Sequence, residues 1–219
     1  MLIKNLGIIG GGQLGSLLAV AAKKLNINTT VYCNDVDAPA QNFCNKFICG
    51  KYDDKVKMQK FIKEIDVITY EFENIPYETL NEMNKVKPVL PKPSVNRLIQ
   101  HRIAEKDFVN KLNIRTTKYA SIESKSDIEP LGDFLPGILK TTTMGYDGKG
   151  QYPIKKIDEI NNLNIDFSKG YILEKLVKLK KEISVIITRF GNNSYEIYEP
   201  IENTHEDQIL KYSVIPAEI

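Results

Sequence analysis

Residues 140–151 read KTTTMGYDGKGQ, the densest chemistry in this chain of 219 residues. Lys140 closes the apolar run GILK at 137–140, and Gly145, Gly148 and Gly150 follow with a further cation, Lys149. Glycine-rich backbone N–H groups and a lysine point charge are the usual means of cradling phosphates. The G-x-x-x-x-G-K-[ST] spacing of the Walker loop is absent, so the segment is not a P-loop. A glycine-rich hairpin would explain the glycines, but a lysine ending a buried strand is costly without an anionic partner.

Residues 69–76 read TYEFENIP and place Glu71 and Glu73 directly after a short apolar run. On an extended segment, residues two apart point the same way. The pair is therefore expected to face either solvent or one ligand bearing an amine or amidine. Residues 6–15 read LGIIGGGQLG, with the spacing Gly10-x-Gly12-x-x-Gly15. Such glycines permit positive φ and let a ligand approach the N-terminus of the next helix, where free N–H groups favour anions. A dinucleotide site would add an acid about 20 positions on to bind a ribose hydroxyl, and Asp35 could serve. The spacing alone leaves the ligand open.

Two further groups lie downstream. Residues 171–177 (YILEKLV) put Glu174 and backbone groups in a strand able to read an adenine amine and ribose hydroxyls, and Glu182 follows. Residues 202–207 (ENTHED) gather His205, one of only two histidines, with three acids. A histidine beside acids on a loop reads as structural unless the fold sets it in a cleft.

The elements that must position these groups follow from periodicity. Residues 2–9 read as a strand, and Leu14, Leu17, Leu18, Ala21, Ala22 and Leu25 recur on one expected buried face of a helix. Residues 29–32, 47–49 and 67–70 read as further strands, with an amphipathic helix through Met58, Phe61, Ile62 and Ile65. Strands alternating with helices imply a mainly parallel sheet covered on both faces, Rossmann-like in its glycine turn. A short helix begins at Pro76. Residues 87–93 (KPVLPKP) then concentrate three prolines, which places a domain boundary at 93/94. Ser94 would cap one helix running to about Leu112, burying Leu98, Ile99, Ile103, Phe108, Val109 and Leu112. Beyond it, residues 115–120, 137–140, 171–176, 183–189, 195–198 and 210–215 read as strands, several alternating as half-buried antiparallel strands do. The expected fold is α/β over 1–93, then α+β over 94–219.

Composition narrows the function classes. With 42% hydrophobic residues the chain can bury a core, and 30 Lys and Arg against 28 Asp and Glu leave a net charge of +2. No bulk field favours nucleic acid or an anionic membrane. Cys33, Cys44 and Cys49 lack C-x-x-C pairing and are read as ordinary thiols of a reducing compartment. No apolar run approaches the roughly 18–20 residues that span a bilayer. The strand-like start leaves no room for a secretory leader, so a cytoplasmic protein is expected.

Taken in order, GGGQLG, Asp35 with DAPA after it, TYEFENIP, KTTTMGYDGKGQ, ILEKLV and ENTHEDQIL resemble the N5-carboxyaminoimidazole ribonucleotide synthase family, ATP-grasp ligases of purine biosynthesis, over essentially the whole chain. The resemblance implies a pre-ATP-grasp domain at 1–93 and the N-terminal portion of an ATP-grasp domain at 94–219. It implies carboxylation of 5-aminoimidazole ribonucleotide by bicarbonate and ATP through carboxyphosphate, with Mg²⁺, in a homodimer. By similarity, Arg102, Lys140, Gly145, Tyr146, Asp147, Gly148, Lys149, Gly150, Gln151, Glu174, Lys175, Leu176, Val177, Glu182 and His205 contact ATP. Tyr146 and Lys149 reach the bicarbonate end as the catalytic pair, and Gln13, Leu14, Glu71 and Glu73 contact the ribonucleotide. Family members continue well past Ile219, so the metal ligands are expected in that further segment, with Glu199, Glu202 and Asp207 as nearby acids. The other readings are a different ATP-grasp ribonucleotide ligase or formyl-transferring relative, an NAD(P)-dependent oxidoreductase resting on Asp35, and a non-catalytic ribonucleotide-binding module.

Overall fold

Strand β1 (Asn5–Ile9) lies inside the first sheet, paired on one side with β2 (Asn28–Cys33) and on the other with β4 (Val67–Tyr70). The order β3-β2-β1-β4, with β3 at Lys46–Cys49, is parallel throughout, as the βα alternation requires. In the computed structural model the described residues are 3–145, 150–206 and 209–219. They pack as two compact units, Met1–Leu112 and Asn113–Ile219.

Alternation along the strands feeds two cores. Ile8 and Val31 pack with Ala19, Cys33, Ala38 and Ala40. Ile9, Tyr32 and Ile68 pack with Met58, Phe61 and Ile62 of α2 (Lys55–Lys63) and with Leu80 and Met83 of α3 (Tyr77–Asn84). Residues 88–90 extend the sheet beside β4: Ile68 and Val89 bridge in parallel, Ile68 N–H donates to Pro88 O at 2.8 Å, and Leu90 N–H donates to Ile68 O at 2.8 Å.

Helix α1 (Gln13–Lys24) corrects the expected face. Gly15, Ser16, Ala19 and Ala22 are buried, while Leu14 and Leu17 are each 57% exposed and Leu25 71%. Small residues at 15, 19 and 22 let the helix lie close on the sheet, and close approach outweighed the larger transfer energy of the leucines. The single helix expected over 94–112 is two, α4 (Pro93–Ile99) and α5 (Arg102–Lys111). Pro93 takes the first helical position, where its missing N–H costs nothing, so Ser94 lies inside the helix and does not cap it. His101 caps α5 by accepting from Ala104 N–H at 3.4 Å. None of α5 is buried; Phe108 and Leu112 are exposed, against expectation.

In the second unit, β5 (Tyr119–Ile122), β6 (Gly137–Thr141), β7 (Gln151–Ile154) and β8 (Tyr171–Lys175) form an antiparallel sheet ordered β5-β8-β6-β7. Ile122, Leu139, Ile154, Tyr171 and Leu173 build its core with Ile128 and Ile160. Beyond it, β9 (Glu182–Ser184), β12 (Ile201–Glu206) and β13 (Ile209–Val214) make a second sheet, and β10 (Ile187–Arg189) pairs with β11 (Tyr195–Ile197). Two of these strands, β7 and β12, are not among those the sequence pattern predicts. The class is α/β followed by α+β, as the periodicities predict. No helix among the described residues is long and apolar enough to cross a membrane.

Candidate functional site

In the first unit the glycine turn and the acid after β4 meet at the carboxyl edge of the sheet. Glu71 N–H donates to Ile9 O at 3.1 Å, continuing the ladder, so the Glu71 side chain falls against residues 10–15. Its Oε1 accepts from Gly12 N–H at 3.0 Å, directly before α1 begins. Gly10 stands at φ +101, and a Cβ there would lie 2.6 Å from Glu71 Oε1. Glu73 does not share this position. The chain turns after Tyr70 instead of staying extended, so Glu73 is exposed, and its carboxylate accepts from Asn74 Nδ2 at 3.4 Å. The expectation that both carboxylates point one way fails for that reason. Gln13 and Leu14, the first residues of α1, are exposed beside the turn, and Asp35 accepts from Asp37 N–H at 2.9 Å in a turn of its own.

Two residues that the sequence did not single out bear on this edge, Gln100 by bonding to it and Tyr52 by lying near Glu71. Gln100, in the break between α4 and α5, donates from Nε2 to Glu73 O and Ile75 O, each at 2.7 Å. A side-chain amide that fails to continue a helical period was the available signal. Burial, then the neighbouring Cys33 and Glu71, pushes the Tyr52 hydroxyl well above its ordinary value, so it stays neutral near the carboxylate.

In the second unit, register decides which side chains share a face. Ile138 opposes Glu174, Lys140 opposes both Ile172 and Gln151, and Tyr119 opposes Glu174. Opposed residues lie on one side of an antiparallel sheet. Lys140, Gln151, Glu174 and Tyr119 therefore occupy one face, and the core residues Leu139, Tyr171 and Leu173 the other. Lys140 Nζ donates to Glu174 Oε2 at 2.8 Å, with the two side chains 18% and 11% exposed. The lysine thus has the anionic partner its burial demands, and that partner belongs to the chain itself. Thr141 N–H donates to Gly150 O at 3.0 Å, and Gly150 has φ +70. The glycine segment leaves and re-enters the sheet at these two residues, one position beyond Lys140. Gly145 and Gly150 bracket Tyr146, Asp147, Gly148 and Lys149, which lie outside the described residues, as does Asp207.

The strand containing Glu174 ends at Lys175, whose Nζ donates to Asp133 O at 2.9 Å; Leu176 and Val177 follow, exposed. Glu182 opposes Asn203 in β9 and β12, and His205 lies two residues further on the same face. His205 Nδ1 lies 3.1 Å from Glu182 Oε1, and Asn203 bridges Ser184 and Ser213 at 3.0 and 2.9 Å. The histidine is on a strand, not on the loop its acidic neighbours suggested. Lys181 donates to Glu202 at 2.8 Å, and this bond first of all holds the Glu202 carboxyl below its usual range. Arg102 opens α5 in the first unit. Among the described residues, no three or more His, Cys, Asp and Glu side chains are grouped to hold a metal.

Comparison with known proteins bears on both units. The family model of the ribonucleotide synthetase preATP-grasp domain matches residues 3–100, and that of the ATP-grasp domain matches residues 107–219. The N5-carboxyaminoimidazole ribonucleotide synthase of Brucella melitensis is 36% identical, over 98% of this chain and 61% of its own length. A crystal structure of N5-carboxyaminoimidazole synthetase from Staphylococcus aureus complexed with ADP superposes with a TM-score of 0.91 at 33% identity, over 99% of this chain and 59% of that one. The carboxyaminoimidazole ribonucleotide synthase of Aspergillus clavatus complexed with ATP gives 0.86 at 26% identity, over 99% and 58%. The chain thus spans about three fifths of the length of these relatives.

Proposed function

Because the chain belongs to the ATP-grasp family, we propose that it serves the reaction of the N5-carboxyaminoimidazole ribonucleotide synthases, ATP-dependent carboxylation of 5-aminoimidazole ribonucleotide with bicarbonate. Bicarbonate attacks the γ-phosphorus of ATP, ADP leaves, and carboxyphosphate forms. The carboxyl group then passes to the exocyclic amine and phosphate departs. A protein accelerates such steps mainly by positioning and by neutralising charge.

The observation that carries this reading is the Lys140–Glu174 pair, largely buried on the face of the sheet away from its core and beside the entry to the glycine segment. In the proposed complex Lys140 turns from Glu174 to the phosphates, with the segment from Gly145 through Tyr146, Asp147, Gly148, Lys149 and Gly150 to Gln151 as its companions in the sequence; the resemblance assigns Arg102 to ATP as well. Glu174 accepts from the adenine amine, alongside the backbone of Lys175, Leu176 and Val177, while Glu182 and His205 serve the ribose side. Tyr146 and Lys149 are assigned to the bicarbonate end. Residues 1–93 serve the ribonucleotide through Gln13, Leu14 and Glu71; Glu73, turned to solvent, is the weaker assignment. Mg²⁺ accompanies ATP in this chemistry, but the described residues gather no ligand cluster for it, and no step here is routed through it. A cytoplasmic homodimer completes the reading.

Phosphate release from ATP tests it, measured with bicarbonate and aminoimidazole ribonucleotide each present and omitted, on the chain alone and with the C-terminal part of a longer relative supplied. Release that needs all three reactants supports the ligase. Tight NAD(P) binding with no ATP binding would assign an oxidoreductase instead, and ribonucleotide binding without turnover under either condition would assign a binding module.

A further inference from the structure

We infer that Cys33 and Cys49 form a redox modification site, a dithiol that a low-molecular-weight disulfide such as oxidised glutathione converts into a bond between β2 and β3 beside the glycine turn. The two residues are distant in the sequence and show no C-x-x-C spacing, but the parallel register sets them opposite each other as the last residues of their strands. Val31 and Phe47, opposed two residues earlier, both pack in the core that contains Ala19 of α1, so Cys33 and Cys49 project to that same side. Neighbouring strands run about 4.7–4.9 Å apart, inside the Cα separation of about 4.4–6.8 Å that a disulfide spans. Gly50 N–H donates to Cys33 O at 2.9 Å, so the ladder holds to this point.

The two thiols differ in access. Cys33 is buried, whereas Cys49 is half-buried and meets the reagent first. The Cys49 thiolate attacks one sulfur of oxidised glutathione, forming a mixed disulfide and expelling one glutathione thiolate. Cys33 then attacks Cys49 Sγ, the bond between Cys49 and glutathione breaks, and a second glutathione leaves. Two protein thiols are thereby oxidised and one glutathione disulfide is reduced to two thiols, which take up the two protons. Cys44 is excluded by position: it precedes β3 and opposes neither residue. Burial also pushes the Cys44 thiol up, which lowers its thiolate fraction. Closing the bond has a local consequence. Cys33 Sγ lies 3.1 Å from where a Cβ on Gly11 would stand, and it accepts from Asp35 N–H at 3.5 Å. When Sγ swings toward β3, the Asp35 amide loses its acceptor and the packing against Gly11 opens.

The test treats the full, reduced chain with oxidised glutathione and follows it by intact mass and by peptide mapping without reductant. The chain should become lighter by two hydrogens, with the peptides of Cys33 and Cys49 joined, and dithiothreitol should reverse the change. Cys49→Ser should abolish the loss, Cys44→Ser should leave it, and Cys33→Ala should stall with one glutathione on Cys49. In ¹H–¹⁵N spectra the Gly11 and Asp35 amides should shift on oxidation and return on reduction. Should Cys33→Ala fail to fold, Cys49→Ser and the mapping of the unsubstituted protein decide the matter. A bond that includes Cys44, glutathione adducts with no internal bond, or no reaction in the folded chain overturns the inference. An internal bond that leaves Gly11 and Asp35 unmoved overturns its link to the turn. Neither ATP nor ribonucleotide is present, so these outcomes are read whether or not the chain serves the carboxylation.

Discussion

The parallel sheet of the first unit and the strands from β9 to β13 are both made of short ladders, but they differ in what stands behind them. β1 and β2 send buried side chains to two cores, one on each side. In β9, β10, β11 and β13 every described residue is exposed, and in β12 only the first three are half-buried. A hydrogen bond contributes about 1 kcal/mol net and sets strand spacing, whereas burying a large apolar side chain contributes about 1.5–3 kcal/mol and fixes where it sits. The Glu71 carboxylate and the Lys140–Glu174 pair are therefore held by sheets with cores behind them. The Glu182–His205 contact joins side chains 45% and 34% exposed on a ladder whose described residues are exposed except for the half-buried start of β12.

The contrast can be broken from either end. Phe61→Ala removes a ring that is 1% exposed in the first core, and urea unfolding should show a loss of about 3–5 kcal/mol. Lys140→Ala should weaken ATP binding about tenfold to a hundredfold by calorimetry, the scale of a charged hydrogen bond, while leaving ribonucleotide binding nearly unchanged; Glu71→Gln should do the reverse. Equal losses in both ligands would show that the two residues support the fold and not separate sites. Gly10→Ala combines φ +101 with a 2.6 Å approach to Glu71 and should cost about 1–3 kcal/mol in the same unfolding assay.

A smaller effect is expected on acidification. Asp66 accepts from Lys4 N–H and Asn5 N–H, each at 2.9 Å, and these bonds hold its carboxyl below the usual range. A depressed folded-state pKa adds stability above the unfolded-state value, and that contribution is lost as pH falls through the folded-state value. Amide exchange at Lys4 and Asn5 should therefore speed up, relative to a neighbour in β2, only on the acid side of the ordinary carboxylate range, and Asp66→Asn should abolish the difference. The smallest effect belongs to the second region. Ile187→Ser, at a side chain 60% exposed, should change stability by no more than about 0.5 kcal/mol. A loss above about 2 kcal/mol would show a core behind those strands and erase the contrast.

What could be read from the sequence follows the same division. The strand at 67–70 matches β4 to the residue because an apolar run between polar flanks has one reading. The leucines of α1 misled because periodicity reports an apolar stripe but not which of two stripes lies on the sheet; the small residues at 15, 16, 19 and 22 gave the competing signal. Pro93 and His101 split the expected long helix through capping chemistry that hydrophobic spacing does not register. β12 was missed because IENTHE carries one apolar residue in six, and its strand state comes from pairing on both sides with β9 and β13. Lys140 and Glu174 were legible as residue types, but their pairing is a matter of register across β6 and β8, which no local window contains.

Gln100 offers a last consequence. Its amide, together with Asn96 Nδ2 at 3.1 Å from Ile75 O, ties α4 and the break after it back to the turn after Glu71. The chain between those points passes through the exposed residue Val86, while residues 88–90 are laced to β4 by backbone bonds. A single protease nick at Val86 would therefore leave two polypeptides clasped together by the sheet and by these amides. The glycine-turn edge could then be reassembled from separately made pieces, each carrying its own label.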